Sequence, residues 1–335
     1  MARILPAGKL PTDVLERLLA YTSTAPELHV AAGAGEDAAV AAGAPVIVLT
    51  ADPITFTEER IGVYVVAVNA NDIVAMGGRP VYLTTTLLAP PGTTDTRLEE
   101  VFADIAAACR TAGMLWAGGH TEVTSAVTRI VVAGQAVGFL TGAPLATGGA
   151  RPGDAVGMSK WAGLEGTTLI ARERPTESQA VLGGERYRAV LDWLERPGIS
   201  IIAEGRALEG LALTGGHDPT EGGIAMGVHE MARRSGCGAL LTGERIPVRE
   251  ETRLLCSRFG LDPLGLLGSG AFLFTAPRAV AEEACRRLEG AGIPAALIGE
   301  MLGKGDQVWI ERGGRRELLA YSVQDEIVKL GTTAG

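Results

Sequence analysis

The stretch NANDIVAMGGRP, residues 69–80, lies between RIGVYVVAV (60–68) and VYLTTTLLAP (81–90). Both flanks are apolar enough to be buried, yet Asn69, Asn71 and Asp72 stand between them. A helix over 58–76, stopped by the pair Gly77 and Gly78, puts Asn69, Asp72 and Met76 on one stripe. An ionised carboxylate on a face shared with Val65 and Met76 is costly unless it is paired or holds a metal ion. Asp72 therefore reads as a functional carboxylate.

Working outward, apolar runs bounded by Gly and Pro predict strands in AAV and PVIVLTADPI (38–54), in VYLTTTLLAP and in TRIVVAGQAVGFL (128–140). Helical spacing predicts helices over 11–22 and in DTRLEEVFADIAAACRTAG (95–113). The Gly/Pro-rich segment 141–154 breaks the pattern and marks a boundary between a domain over 1–145 and one over 150–330. The second half continues with strands in DAVGMSK, GALLTGERIPV, GAFLFTA, AALIGEM and DQVWIE. Helices fall in EGTTLIARER, ESQAVLGGERYRAVLDWLER, SIIAEGRALEG, GIAMGVHEMARRSG, EETRLLCSRFG and 279–291. The order is not a simple βαβ series, so the fold class is α+β in two domains.

A chain of 335 residues that is 47% hydrophobic carries enough apolar mass for two cores. Thirty Lys and Arg against 39 Asp and Glu give a net charge of −9, with no basic block, which argues against a nucleic-acid partner. Cys109, Cys237, Cys256 and Cys285 form no CxxC pair, so they read as small buried hydrophobes rather than zinc ligands or a redox dithiol. Residues 130–150 are uncharged, but five Gly, Gln135 and Pro144 favour a strand and loop over a membrane helix. With no signal peptide in MARILPAGKL, the expectation is a cytoplasmic protein off the membrane.

Five polar islands interrupt the apolar pattern: GAGEDAAV (33–40), TADPIT (50–55), NANDIVAMGG (69–78), AGGHTEVT (117–124) and HDPTEGG (217–223). Singly, most have a structural reading. HDPTEGG, for example, suits a helix N-cap, with Asp218 or Thr220 accepting backbone N–H groups and Pro219 in the first turn. Together, Asp37, Asp52, Asp72 and Asp218, with Glu36, make a set of hard oxygen ligands of the kind Mg²⁺ prefers. The neighbouring glycines let backbone N–H groups approach phosphate oxygens. That combination suits Mg-nucleotide binding. Neither GxxxxGK[ST] nor a helix-opening GxGxxG occurs, so the site is neither a P-loop nor a Rossmann fingerprint.

Carried by GKLPTDVLERLL, GEDAAV, TADPIT, VNANDIVAMGGRPVYLTTTLL, GGHTEVT, RPGD, HDPTEGG and RFGLDPL, the sequence resembles the PurM-like ATP-dependent superfamily. That group contains aminoimidazole ribonucleotide (AIR) synthetase, thiamine-monophosphate kinase, selenophosphate synthetase and the hydrogenase-maturation protein HypE; the likeness is greatest to the HypE-like, AIR synthase-related branch. It implies a homodimer whose N-terminal sheets pair into a barrel, a C-terminal α+β sandwich, and ATP near the dimer interface. It further implies that Asp37, Asp52 and Asp72 hold Mg²⁺, with Asp218 completing the cluster or touching phosphate. Asn69 and Asn71 would orient that shell or bind phosphate, with Gly118, Gly119 and Glu36 beside the nucleotide. His217 and Glu221 would flank the site, and Lys9 would close over the nucleotide.

Departures from the family pattern matter. His120 stands where many relatives have Asp; it would bind metal, phosphate or substrate, against the alternative of a hydrogen-bonded His at a strand end. No cysteine precedes Cys109, which disfavours selenophosphate chemistry. The last residues, VKLGTTAG, hold no cysteine for a carbamoyl group. Lys160 and Glu165 read as a solvated pair near a helix start, with phosphate and substrate contacts as the functional alternative. The expected function is ATP-dependent phosphorylation or activation of an oxygen on a small or carrier-bound substrate, with a maturation partner protein. The alternatives are a non-catalytic assembly factor and a kinase resembling thiamine-monophosphate kinase.

Overall fold

The computed structural model describes residues 28–30, 34–36, 39–41, 46–322 and 324–330, with Thr12 and Glu16. The readings for the helix over 11–22, for Lys9 and Asp37, and for residues 331–335 fall largely or wholly outside these.

Among the described residues the chain forms two sheets. The first is built from β1 (Leu28–Val30), β2 (Ala39–Ala41), β3 (Ile47–Ile54), β4 (Gly78–Ala89), β5 (Leu115–Val123) and β6 (Val131–Leu140), in the order β1-β2-β3-β6-β4-β5. Neighbours are antiparallel except β4 and β5. Helix α1 (Ile61–Ala75) and helix α2 (Asp95–Ala112) belong to this half. Val48 and Ile54 of β3, Leu83 and Leu87 of β4, and Val132 and Ala136 of β6 meet Val65 and Ile73 of α1 and Ile105 of α2 in one core. Residues between them on the same strands, such as Leu49 and Tyr82, point outward and are exposed. Sheet one is thus covered on one face by its own helices.

The second sheet contains β7 (Ala155–Ser159), β8 (Gly215–His217), β9 (Cys237–Thr242), β10 (Leu273–Ala276), β11 (Ala295–Lys304), β12 (Val308–Arg312) and β13 (Arg315–Leu318), in the order β13-β12-β9-β11-β7-β10-β8. Helices α3 (Leu164–Glu173), α4 (Pro175–Asp192), α5 (Ile202–Leu208), α6 (Gly223–Ser235), α7 (Glu250–Phe259) and α8 (Arg278–Gly290) surround it. Ile224, Val228 and Met231 of α6 pack with Val156 and Met158 of β7. Ala281, Ala284 and Leu288 of α8 pack with Ala155 and Phe274. With α6 and α8 on opposite faces, β7, β8 and β10 are buried along their whole length. The architecture is the expected α+β class.

Four strands escape the sequence pattern: the three-residue β1 and β8, and β5 and β13. β5 runs through the island AGGHTEVT; as an edge strand it is exposed at almost every position, so no apolar alternation announces it. β13 is four exposed residues, RREL, held by pairing with β12. Three cysteines are buried and Cys285 is half-buried. Among the described residues no helix is long and apolar enough to cross a membrane.

Candidate functional site

The site begins where α1 crosses the inner face of β3. Period-two alternation sends Thr50 and Asp52 toward the helix and Leu49 and Ala51 away from it. Asn69, fully buried, treats Asp52 as a strand neighbour would. Its Oδ1 accepts from Asp52 N at 3.0 Å, and its Nδ2 donates to Asp52 O at 3.2 Å and to Val65 O at 2.8 Å. One turn on, Asp72, only 5% exposed, accepts a hydrogen bond from Thr50 Oγ1. Room for Asn69 comes from Gly134 on β6, the register partner of Asp52, where a Cβ would sit 2.4 Å from Asn69 Nδ2. The result is a fixed polar patch of Thr50, Asp52, Asn69 and Asp72 under an apolar helix.

The same register row crosses the sheet. Asp52 pairs with Gly134, Gly134 with Thr85 on β4, and Thr85 with Gly119 on β5. Three strand spacings put Gly119 about 14 Å from Asp52. Gly118 and His120 flank Gly119 on this open edge. The His120 side chain is 68% exposed, with Nε2 3.7 Å from Glu122 Oε2.

Asn71 faces the other way. It is fully buried, donates from Nδ2 to Ile199 O at 2.9 Å and accepts from Ile201 N at 2.9 Å, which ties α1 to the second half. Between those two residues, Ser200 O accepts from Lys160 Nζ at 2.9 Å. Lys160 also donates to Gly270 O at 2.9 Å and pairs with Glu204 at 2.8 Å. Lys160 is 3% exposed and Glu165 1% exposed, so the expected solvated pair is corrected to two buried groups. The partners of Lys160 lie 40 and 110 residues away in the chain, which a local window does not contain.

In the second half, His217 ends β8 and its Nε2 lies 2.9 Å from Glu230 Oε2 on α6. Asp218 is buried beside it. α6 starts at Gly223, after the expected capping residues. The N-cap is Gly222, whose N–H donates to Asp325 Oδ2 at 2.8 Å, so the cap seen there comes from the C-terminal segment. Burial, opposed by a Ser269 hydrogen bond and reinforced by the charges of Glu221 and Asp325, pushes the Glu165 carboxyl up to about 7. Burial likewise pushes Asp325 up to about 6, against hydrogen bonds from backbone N–H groups, with Glu221 adding to the rise. Glu165, Glu221 and Asp325 thus form an acidic group at the start of α6. Asp325 was missed because SVQDEIVKL looks like an ordinary polar tail; no local signal marks it.

The first island also reaches α6. Gly35 lies against Glu230 and Arg234, and Glu36 accepts from Arg234 Nε at 2.9 Å. Islands two and three therefore meet in one patch, and island one meets the helix that follows island five. Among the described residues no three His, Cys, Asp or Glu side chains are grouped to hold a metal ion. Asp52 and Asp72 are the neighbouring carboxylates that remain, and a pair suffices for Mg²⁺ when substrate phosphates complete its shell.

Residues 35–140 match the family described as "AIR synthase related protein, N-terminal domain", and residues 151–310 match "AIR synthase related protein, C-terminal domain". Carbamoyl dehydratase HypE of Azotobacter vinelandii is 31% identical over 258 residues, 75% of this chain and 72% of that protein. The crystal structure of a HypE–HypF complex superposes with a TM-score of 0.74 at 26% identity, over 86% of this chain and 93% of that one. The structure of hydrogenase maturation protein HypE in complex with ATP gives a TM-score of 0.70 at 26% identity, over 84% and 87%. The motifs of islands one to five, the two sheets and these likenesses agree: the chain belongs to the PurM-like, AIR synthase-related family, on the branch that holds the HypE proteins.

Proposed function

We propose that this chain is an ATP- and Mg²⁺-dependent enzyme of the HypE kind, working in the cytoplasm. It activates an oxygen of a carbamoyl, carbonyl or carboxylate group, on a small molecule or a carrier, in the maturation of a hydrogenase or similar metal centre. The observation that carries the reading is Asp72, buried yet held by Thr50 beside Asp52, on a strand fixed by Asn69. Burying a carboxylate is costly, and a bound cation beside Asp52 and Asp72 would offset that cost. The HypE relative bound to ATP supports the nucleotide, and the name carbamoyl dehydratase supports the chemistry.

In that chemistry the γ-phosphoryl group moves to the carbamoyl oxygen and ADP leaves. One N–H proton is released to solvent as the oxygen is phosphorylated; the C–O bond then breaks, and phosphate departs with the second N–H proton to leave a nitrile. Bound Mg²⁺ would neutralise phosphate charge, held by Asp52 and Asp72 with Asp37. The chain's own residues position the reactants. Asn69 keeps Asp52 in register, and Glu230 orients His217 so that His217, Asp218 and Glu221 flank the substrate from the second half. The N–H groups of Gly118 and Gly119 would approach the nucleotide. The HypE–HypF complex supports a maturation partner of the HypF kind. The bare apolar face of sheet one supports a homodimer.

Isothermal calorimetry tests the reading. ATP is expected to bind with Mg²⁺ and about tenfold or more weakly without it, and Asp72→Asn is expected to weaken it at least as much. Absence of any nucleotide affinity in the parent protein would sink the proposal.

A further inference from the structure

A well-formed cleft lies away from this site. A cavity of about 530 Å³ opens at the seam between the two halves, beyond the C-terminal end of α1. Val74 of the first half, Leu145 of the linking segment, and Ile202, Leu208, Leu211 and Phe272 of the second half line it. None of the residues assigned to the nucleotide site lines it. Its size, its position between two halves and its mainly apolar wall are those of small-molecule sites.

The rim is charged. Arg79, at the start of β4, and Arg206, on α5, line the cleft from opposite halves, and both are exposed. Arg206 reaches across the seam until a guanidinium nitrogen lies 3.8 Å from where a Cβ on Gly113 would be. Among the described residues neither guanidinium forms an ion pair or a side-chain hydrogen bond. Glu209 also lines the cleft, so its ionisable groups sum to a single positive charge. An apolar chamber with one net positive charge at its mouth suits a ligand with one negative end and an apolar body. Guanidinium holds carboxylate through its paired N–H donors, and the single net positive charge favours such a monoanion over a dianionic phosphate.

We propose that the seam cleft is a second binding site, for an apolar monocarboxylate, separate from the nucleotide site. Its carboxylate lies between Arg79 and Arg206 and its hydrocarbon part against Ile202, Leu208 and Phe272.

The test uses the full chain and the fluorescent monoanion 8-anilinonaphthalene-1-sulfonate as probe. Saturable binding, displaced by octanoate but not by MgATP, is expected. The double variant Arg79→Glu/Arg206→Glu is expected to weaken probe and octanoate at least tenfold. Ala212→Trp, at an exposed position lining the cleft, is expected to block them sterically. Thermal melting and MgATP affinity serve as fold controls, and both are expected to stay at parent values in either variant. Phenyl phosphate is the arm for the dianion alternative, and displacement stronger than by octanoate would overturn the carboxylate assignment. Probe binding untouched by both cleft variants, or abolished instead by Leu49→Glu on the open sheet face, would overturn the site itself.

Discussion

The two sheets treat their faces differently. Strands β3, β4 and β6 alternate buried and more open positions, whereas β7, β8 and β10 are buried at every position. The cause is layering: α6 and α8 sandwich the second sheet, while α1 and α2 cover only one face of the first. Leu49 and Tyr82 are left 44% and 40% exposed in the middle of that open face. A sheet covered on both sides is a finished core. One covered on a single side has an apolar surface that a second copy of the chain would close.

The sharpest way to break this contrast is to put the same charge on each sheet. Val156→Glu, on fully buried β7, is expected to cost about 4 kcal/mol or more and to leave little soluble protein. Leu49→Glu is expected to change the stability of the folded chain by less than about 1 kcal/mol but to convert the proposed dimer to monomer in sedimentation. Equal destabilisation by both would remove the argument from layering.

Asn69 and Asn71 sharpen it further, since they lie on one helix and serve different halves. Asn69→Ala strips partners from Asp52 and is expected to cost about 2–4 kcal/mol in a single urea transition. Asn71→Ala cuts the tie to Ile199 and Ile201, so a similar loss is expected with a lower m-value, as the halves begin to melt apart. Gly134→Ala brings a methyl group to 2.4 Å from the Asn69 amide and is expected to cost about 1–3 kcal/mol.

A smaller effect tests the acidic group of the second half. Glu165 and Asp325 have folded pKa values raised to about 7 and about 6 from ordinary values of 4.5 and 3.8. The folded state holds protons that the unfolded state has already released. This contribution is therefore complete below about pH 4 and is lost as pH rises through 6 and 7. Glu165→Gln is expected to flatten the fall in stability between pH 5 and 7, measured by urea titration at each pH. The smallest effect belongs to His120→Ala. With the side chain 68% exposed, stability is expected to move by less than about 0.5 kcal/mol, so a fall in MgATP affinity would report a contact.

How much was legible follows from where each partner lies. α1 and its Asp72 were readable because the helix is long, apolar and interrupted by three polar residues within four positions. That Asn69 serves Asp52 was half-readable, as both fall in islands. That Asn71 serves Ile199 and Ile201 was not, because the partners are 128 and 130 residues on and are backbone atoms without a signature. The same holds for Lys160 and for Asp325, whose burial arises from segments that meet only in the folded chain. β5 escaped because an exposed edge strand has no apolar face to betray it.

The placement of three neighbours on α1 has a consequence for inherited variation. Asn69, Asn71 and Asp72 each point to a different partner, and successive residues on a helix turn by about 100°. Substitution at one position harms one tie. Deleting or inserting a single residue ahead of Asn69 would swing all three off target at once, even if every amino acid were kept. Natural variants of this helix should therefore differ in spelling but not in length.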